Sequence, residues 1–471
     1  MDLAITNALV CTMDSDRAGL GIVEDGTVGV TDGEIAYVGP GDGFDARADR
    51  EIDATGTLVV PGLVDAHVHT PQTLLRGGAQ DLPEIEWMTR GLAPFSEALT
   101  ETDRIAGSRL GVLEGVRAGV TTFGEYTRDV GALVEAVYRP LGVRVAATET
   151  ITEVTAMDGA PDEPYPMDRE KGRRALRRNE ALFDRYDDES LVAPMYGPQA
   201  LDMVSPELLE TVGERASERG ASIHMHVAQG GRERRQIEAR YGSGASTVAV
   251  LDDLGLLDER LLAVHCHDAT PDERARLAES GARFVGCPSS IAAIDGIVPP
   301  VSDFLDRGVP VGLGTDQAPG PGGHDMRREL RTACLLAKTD REDPTALAAW
   351  EALSLGTVGG ARALGIDSIG RLETGNRADL AVFALDSLSM APAVDRPFHT
   401  AIPNLVYGGA SAETVLVDGE PVLFEGEFTA IDERAVLEEA TERARGAFER
   451  GSREWREAGS RLVEASAAGW L

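Results

Sequence analysis

Lysine is almost missing from this chain: only Lys171 and Lys338 occur among 471 residues, and arginine carries nearly all the positive charge. Acidic residues number 79 against 45 basic ones, a formal net charge of -34. Phosphates would be repelled along most of such a surface, which argues against nucleic acid and anionic membranes as partners. Abundant Asp and Glu with scarce Lys points to a halophilic protein, whose charge concentrated cations would screen. The alternative is an acidic protein from a GC-rich genome, and folding in low and in multimolar salt separates the two. Cysteine is also scarce: Cys11, Cys266, Cys287 and Cys334 lack CxxC spacing, so neither a disulfide framework nor a thiolate zinc cluster is expected. The N-terminus has no basic stretch followed by an apolar one, and no apolar run approaches the length of a membrane span. A cytoplasmic protein is expected.

Histidine is rare too, with eight residues, yet six of them form three pairs spaced i, i+2: His67 with His69, His224 with His226, and His265 with His267. Each pair ends a strand-like apolar run, the first being Val59-Val60-Pro61-Gly62-Leu63-Val64-Asp65-Ala66-His67-Val68-His69. Side chains at i and i+2 of a strand leave the same face, so such a pair converges on one ion if the strand ends at an open site. One pair alone is compatible with surface or core histidines, but three coincidences point to a shared ion.

The length exceeds what one ordinary core needs. Up to about residue 57 the pattern is short strands and turns, with Asp32-Gly33 as a hairpin turn. Strands are then expected near Val59 to Ala66, Val120 to Phe123, Val143 to Thr148, Leu191 to Met195, Ala221 to His226, Leu261 to Cys266, Arg283 to Cys287 and Val309 to Gly314. Helical segments such as Glu101 to Ala118, Pro206 to Arg219, Pro271 to Ser280 and Val301 to Arg307 lie between them. Eight alternating units imply an α/β fold, a (β/α)8 TIM-like barrel over 58-375 with its chemistry at the C-terminal strand ends. A doubly wound open sheet is the alternative, but no Gly-rich dinucleotide loop follows the first strand. Short strands return at Ala378 to Phe383 and Val415 to Phe424, so residues 1-57 and 376-430 are expected to form a composite β-sandwich. Residues 431-471 read as a helical extension packing through Ala435, Leu437, Ala440 and Phe448, and Met157 to Asp168 reads as a loop.

The candidate ligands are His67 and His69, one histidine from each later pair, and Asp316 in Gly312-Leu313-Gly314-Thr315-Asp316. On its own, Asp316 could equally cap the following helix. With these motifs the chain resembles the amidohydrolase superfamily, in the branch of S-adenosylhomocysteine and guanine deaminases and triazine hydrolases. The resemblance extends through Leu74-Leu75-Arg76-Gly77, Gly119-Val120-Thr121-Thr122, His226-Val227-Ala228, Cys287-Pro288-Ser289-Ser290 and Gly375-Asn376-Arg377-Ala378-Asp379-Leu380. It implies one divalent ion, zinc first and iron as the alternative, held by His67, His69, His226 and Asp316. His265 would then touch the attacking water or the substrate, with His224 and His267 in support.

The implied reaction is hydrolysis at an electrophilic ring carbon beside nitrogen, with deamination of an aminopurine, pterin or triazine as the pattern. Asp316 would accept the water proton and His265 would steady the oxygen. Relatives protonate the leaving amine with a glutamate three residues after the strand-five histidine; here that residue is Gln229, whose amide cannot shuttle a proton. Gln229 could simply bind substrate while Asp316 moves all protons, or Glu125 in Phe123-Gly124-Glu125-Tyr126 could reach in, its plainer reading being an outward loop carboxylate. A third reading is a metal- and ligand-binding relative with little activity, and hydrolysis of an imidazolone-like cyclic amide is the alternative within enzymes. Gln72, Trp87 and Ser96 are the expected substrate contacts; Trp87 would stack on a heteroaromatic ring unless it only packs the first loop. Ser96 stands where nucleoside deaminases of this branch carry a glutamate, with Glu97 next to it. A small heterocyclic substrate and a homodimer complete the expectation.

Overall fold

The computed structural model describes residues 1–157, 163–187 and 189–471. The N-terminal strands are β1 (Leu3–Cys11), β2 (Ile22–Thr31), β3 (Glu34–Pro40), β4 (Arg50–Asp53) and β5 (Thr57–Pro61). Asp32 and Gly33 both have positive φ, 51° and 77°, so the β2–β3 hairpin turns where the Asp-Gly pair placed it. Eight parallel strands follow: β6 (Leu63–Val68), β7 (Val120–Thr127), β8 (Arg144–Ile151), β9 (Val192–Pro198), β10 (Ile223–Val227), β11 (Leu261–His265), β12 (Arg283–Gly286) and β13 (Val311–Leu313). They pair in sequence order, and a bridge between Val68 and Asp316 brings the two ends together into a (β/α)8 barrel. Late strands β14 (Leu380–Ala384), β15 (Thr414–Val417), β16 (Glu420–Phe424) and β17 (Glu427–Phe428) join β1–β5 in a nine-stranded mixed sheet. Leu3, Ile5, Val28, Val59, Leu380 and Leu416 are among the side chains of its separate core.

The apolar run read as one strand from Val59 to Ala66 is two. β5 pairs with β1 and β14 in the mixed sheet, and β6 pairs with β7 in the barrel. The switch falls at Gly62, where a Cβ would lie 2.1 Å from Thr121 Oγ1, so only glycine allows the crossing. The two units are also tied by a buried ion-pair network. Arg144 at the start of β8 donates to both oxygens of Asp379, at 2.9 and 3.0 Å, and to Asp418.

Glu101–Arg117 begins with a capping box in which Thr100 and Asp103 satisfy each other's backbone N–H groups. It lies against the turn Thr70–Leu75 that follows His69, so the helix backs the segment leaving the first histidine pair. The C-terminal helix Glu433–Ala458 packs on Glu101–Arg117 and on Ala93–Ser96, with Phe448 and Phe95 rings 4.5 Å apart. Its buried positions are Val436, Ala440, Ala447 and Gly451. Ala435 and Leu437, expected inside, are exposed, because the packed stripe starts one residue after Ala435. Of the expected loop Met157 to Asp168, residues 158–162 lie outside the described residues; Val154 bridges Met167 across it.

Candidate metal centre and its cavity

β6 carries Asp65 and His67 on alternating positions, and its pairing with β7 gains an extra residue between Asp65 and Val68. This bulge sits where the strand must aim its histidines. Barrel closure fixes the opposite wall: Asp316 N–H donates to the His67 carbonyl at 2.9 Å and His69 N–H to the Asp316 carbonyl at 2.8 Å. Gly314 makes that approach possible, since a Cβ there would lie 2.6 Å from the His67 carbonyl oxygen. Asp65 locks the same corner, accepting from the Thr315 N–H at 2.9 Å and the Thr315 hydroxyl at 2.6 Å. Asp316 thereby sits at φ 62°, turned toward the histidines.

His67 Nε2 and His69 Nε2 lie 3.5 and 3.3 Å from Asp316 Oδ1. Donor atoms of His67, His226 and His265 are within 4.8 Å of one another, as are those of His67, His69 and Asp316. Three of these rings are oriented by their other nitrogen. His69 Nδ1 faces the Tyr126 carbonyl, His226 Nδ1 the Gln199 carbonyl at 2.8 Å, and His67 Nδ1 the His224 Nε2 at 2.9 Å. A carbonyl accepts only, so Nδ1 of His69 and His226 carries the proton and Nε2 keeps its lone pair. His224 continues the chain by contacting Thr148 Oγ1 at 3.1 Å. His67 Nε2 is buried with no hydrogen-bond partner among the described residues, as an atom awaiting a ligand would be.

Burial holds three of the imidazoles neutral, the state a ligand needs: His67 is lowered to about 4, His265 to about 3, and His226 falls well below the usual range. Burial would lower His69 as well, but the Asp316 carboxylate outweighs it and raises this ring. Burial alone would raise Asp316; contacts with His67 and His69 hold it well below the usual carboxylate range. Its Oδ2 also accepts from the Ser290 hydroxyl at 2.5 Å. The donor set therefore suits a divalent cation with an open position.

Above these residues is a cavity of about 330 Å³. His69, His226, His265, Asp316, Gln229, Gln72, Trp87 and Ser96 all line it, and His67 lies beneath. Gln72 Oε1 and Trp87 Nε1 are buried without a partner among the described residues. Glu125 is the exception. It is neither in the cavity wall nor in an outward loop: within β7 it is fully buried, accepting from Tyr138 at 2.5 Å and from Thr70. His267, from the third histidine pair, also lines the cavity; Arg128, Asp295 and Gln317 line it without any motif to mark them, and Glu97 lines it beside Ser96. Asp65 and Ser290 lay within quoted motifs, but their contacts with Thr315 and Asp316 depend on barrel closure.

The amidohydrolase family model matches residues 58–422. The chain is 34% identical over 429 residues to a 5-methylthioadenosine/S-adenosylhomocysteine deaminase of Moorella thermoacetica, covering 90% of this chain and 95% of that protein. It is also 34% identical over 448 residues to a 5'-deoxyadenosine deaminase of Methanosarcina mazei, covering 94% and 98%. A solved adenosine deaminase from Xanthomonas campestris with bound zinc superposes with a TM-score of 0.83 at 30% identity, over 97% of this chain and 98% of that one. An atrazine chlorohydrolase of Arthrobacter aurescens, at 22% identity and a TM-score of 0.81 over 94% and 100%, shares the fold. The chain belongs to the amidohydrolase family.

Proposed function

We infer that this hydrolase, which acts on a carbon–nitrogen bond of a small nitrogen heterocycle, is a zinc-dependent deaminase of adenosine-like nucleosides. The observation that carries the reading is the cluster of buried imidazoles and one ionised carboxylate on the floor of a cavity that Trp87 and Tyr126 help to wall. Similarity along more than nine-tenths of the chain to deaminases of modified adenosines supports the substrate class.

His67, His69, His226 and Asp316 would hold one ion, which when bound supplies Lewis acidity that makes water nucleophilic near neutral pH. Asp316, kept ionised by its neighbours, accepts a proton from the attacking water. His265 lines the same space, its buried Nδ1 has no partner among the described residues, and it steadies the oxygen as it adds to the ring carbon. Trp87 stacks on the purine while the Gln72 and Gln229 amides, both in the cavity wall, bind its edge. Ser96 and Glu97 together offer acceptors for ribose hydroxyls, so the Ser at the first position does not exclude a nucleoside. Residues 58-375 form the catalytic barrel in this reading, 1-57 and 376-430 an accessory unit, and 431-471 a brace on the loop bearing Trp87 and Ser96. Among the described residues no helix is long and apolar enough to cross a membrane. We place the protein in the cytoplasm of a salt-adapted cell, on its charge, and as a homodimer, on the family resemblance. The test is kcat/KM for 5'-deoxyadenosine, adenosine, guanine and an aminotriazine. The adenosine analogues should lead by at least tenfold, and a preference for guanine or the triazine overturns the substrate assignment.

A further inference from the structure

Ammonia leaves a tetrahedral carbon only after its nitrogen is protonated, and the Gln229 amide has no proton to give and recover. The carboxyl groups in the cavity wall are Glu84, Glu97, Asp295 and Asp316. Asp316 is needed as the base, and Glu84 is paired with Arg232 at 3.2 Å. Asp295 differs from both. It caps the helix Pro288–Ile294, which follows β12, and its carboxyl faces the His267 ring, Nε2 to Oδ1 3.7 Å. The His267 side chain is 4% exposed and that of Asp295 14%. His267, Asp295 and Gln229 all line the cavity, so the carboxyl shares the wall where Gln229 stands.

We propose that Asp295, positioned by His267, is the catalytic acid that protonates the departing amino group. This rests on the deaminase reading above. Burial, then the nearby charges of Glu84 and Asp316, raise the Asp295 carboxyl to about 7, so it holds its proton in the neutral range while Asp316 does not. Burial keeps the His267 ring neutral, lowering it to about 4, so it stands beside the carboxyl without the positive charge that would ionise the acid. Water adds through oxygen to the ring carbon and gives one proton to Asp316. Asp295 transfers its proton to the amino nitrogen, and the carbon–nitrogen bond breaks with its electron pair leaving on ammonia. The proton on Asp316 returns through solvent to Asp295. Two carboxyl groups with separated affinities thus divide base and acid.

The test compares Asp295→Asn with the metal-loaded parent on 5'-deoxyadenosine and on its 6-chloro counterpart, whose chloride leaves without a proton. Asp295→Asn should lower kcat for the amine about 100-fold and for the chloride less than threefold. The ratio is independent of how much variant folds, and metal content should equal the parent's. Gln229→Glu in the Asp295→Asn background should restore deamination at least tenfold. Equal losses on both substrates, or no loss on the amine, overturn the proposal while leaving the deaminase reading standing. If the parent turns over the chloride and not the amine, the deaminase reading fails and the proposal with it.

Discussion

His224→Leu removes the one partner that orients the His67 ring while filling most of its volume. His67 is fully buried, and its Nδ1 lies 2.9 Å from His224 Nε2. Without that acceptor a buried N–H is left unpaired, which costs about 1–3 kcal/mol. In the metal-bound protein the ring cannot turn away to recover the loss, because Nε2 is committed to the ion. At about 1.4 kcal/mol per factor of ten, zinc affinity should fall roughly 5–150-fold, in line with the 10–100-fold typical when a partner of a ligating histidine is lost. The assay is competition for zinc against a chromophoric chelator at pH 8, with thermal unfolding of metal-free and metal-loaded protein alongside. His224→Gln, whose carbonyl can accept the same hydrogen bond, should recover most of the affinity. Zinc binding by His224→Leu within twofold of the parent, accompanied by a lower unfolding temperature, would show that His224 only packs and that His67 is not held as a ligand.

Arg144→Met leaves the buried Asp379 without its cation, whereas Asp418 keeps Arg377, and should lower stability by about 3–5 kcal/mol in denaturant titration. Zinc affinity should weaken as pH falls below 7: Asp316 raises the His69 proton affinity, so His69 is the first ring at which a proton competes, whereas His67, near 4, stays available far lower. Isothermal titration at pH 8, 7, 6 and 5 measures this, and a flat profile would contradict it. The unfolding temperature should climb from low salt to 2 M KCl, since 79 acidic against 45 basic side chains repel across the surface.

Much of the barrel is readable because its strands are short apolar runs between helical segments, and the ligand candidates because three histidine pairs keep a strand's period of two. Periodicity could not show that Val59 to Val68 changes sheets, since both halves are apolar; the break depends on the approach of Thr121 to Gly62. On the C-terminal helix Ala440 and Phe448 pack as expected while Leu437 does not, because Val436 and Leu437 are equally apolar and only the partner surface selects Val436. Glu125 follows the same logic: the hydroxyls that bury it come from Thr70 and Tyr138, on other elements. Asp295 belongs to no local pattern, and only the fold brings it to His267 and the wall beside Gln229.

The central claim is that one ion at His67, His69, His226 and Asp316 drives deamination. Chelator-stripped protein should release no ammonia from 5'-deoxyadenosine, and titration with zinc should restore release in proportion, reaching a plateau at one zinc per chain. Ammonia release that persists in the stripped protein, or a fully loaded protein that releases none from any adenosine analogue, would contradict it.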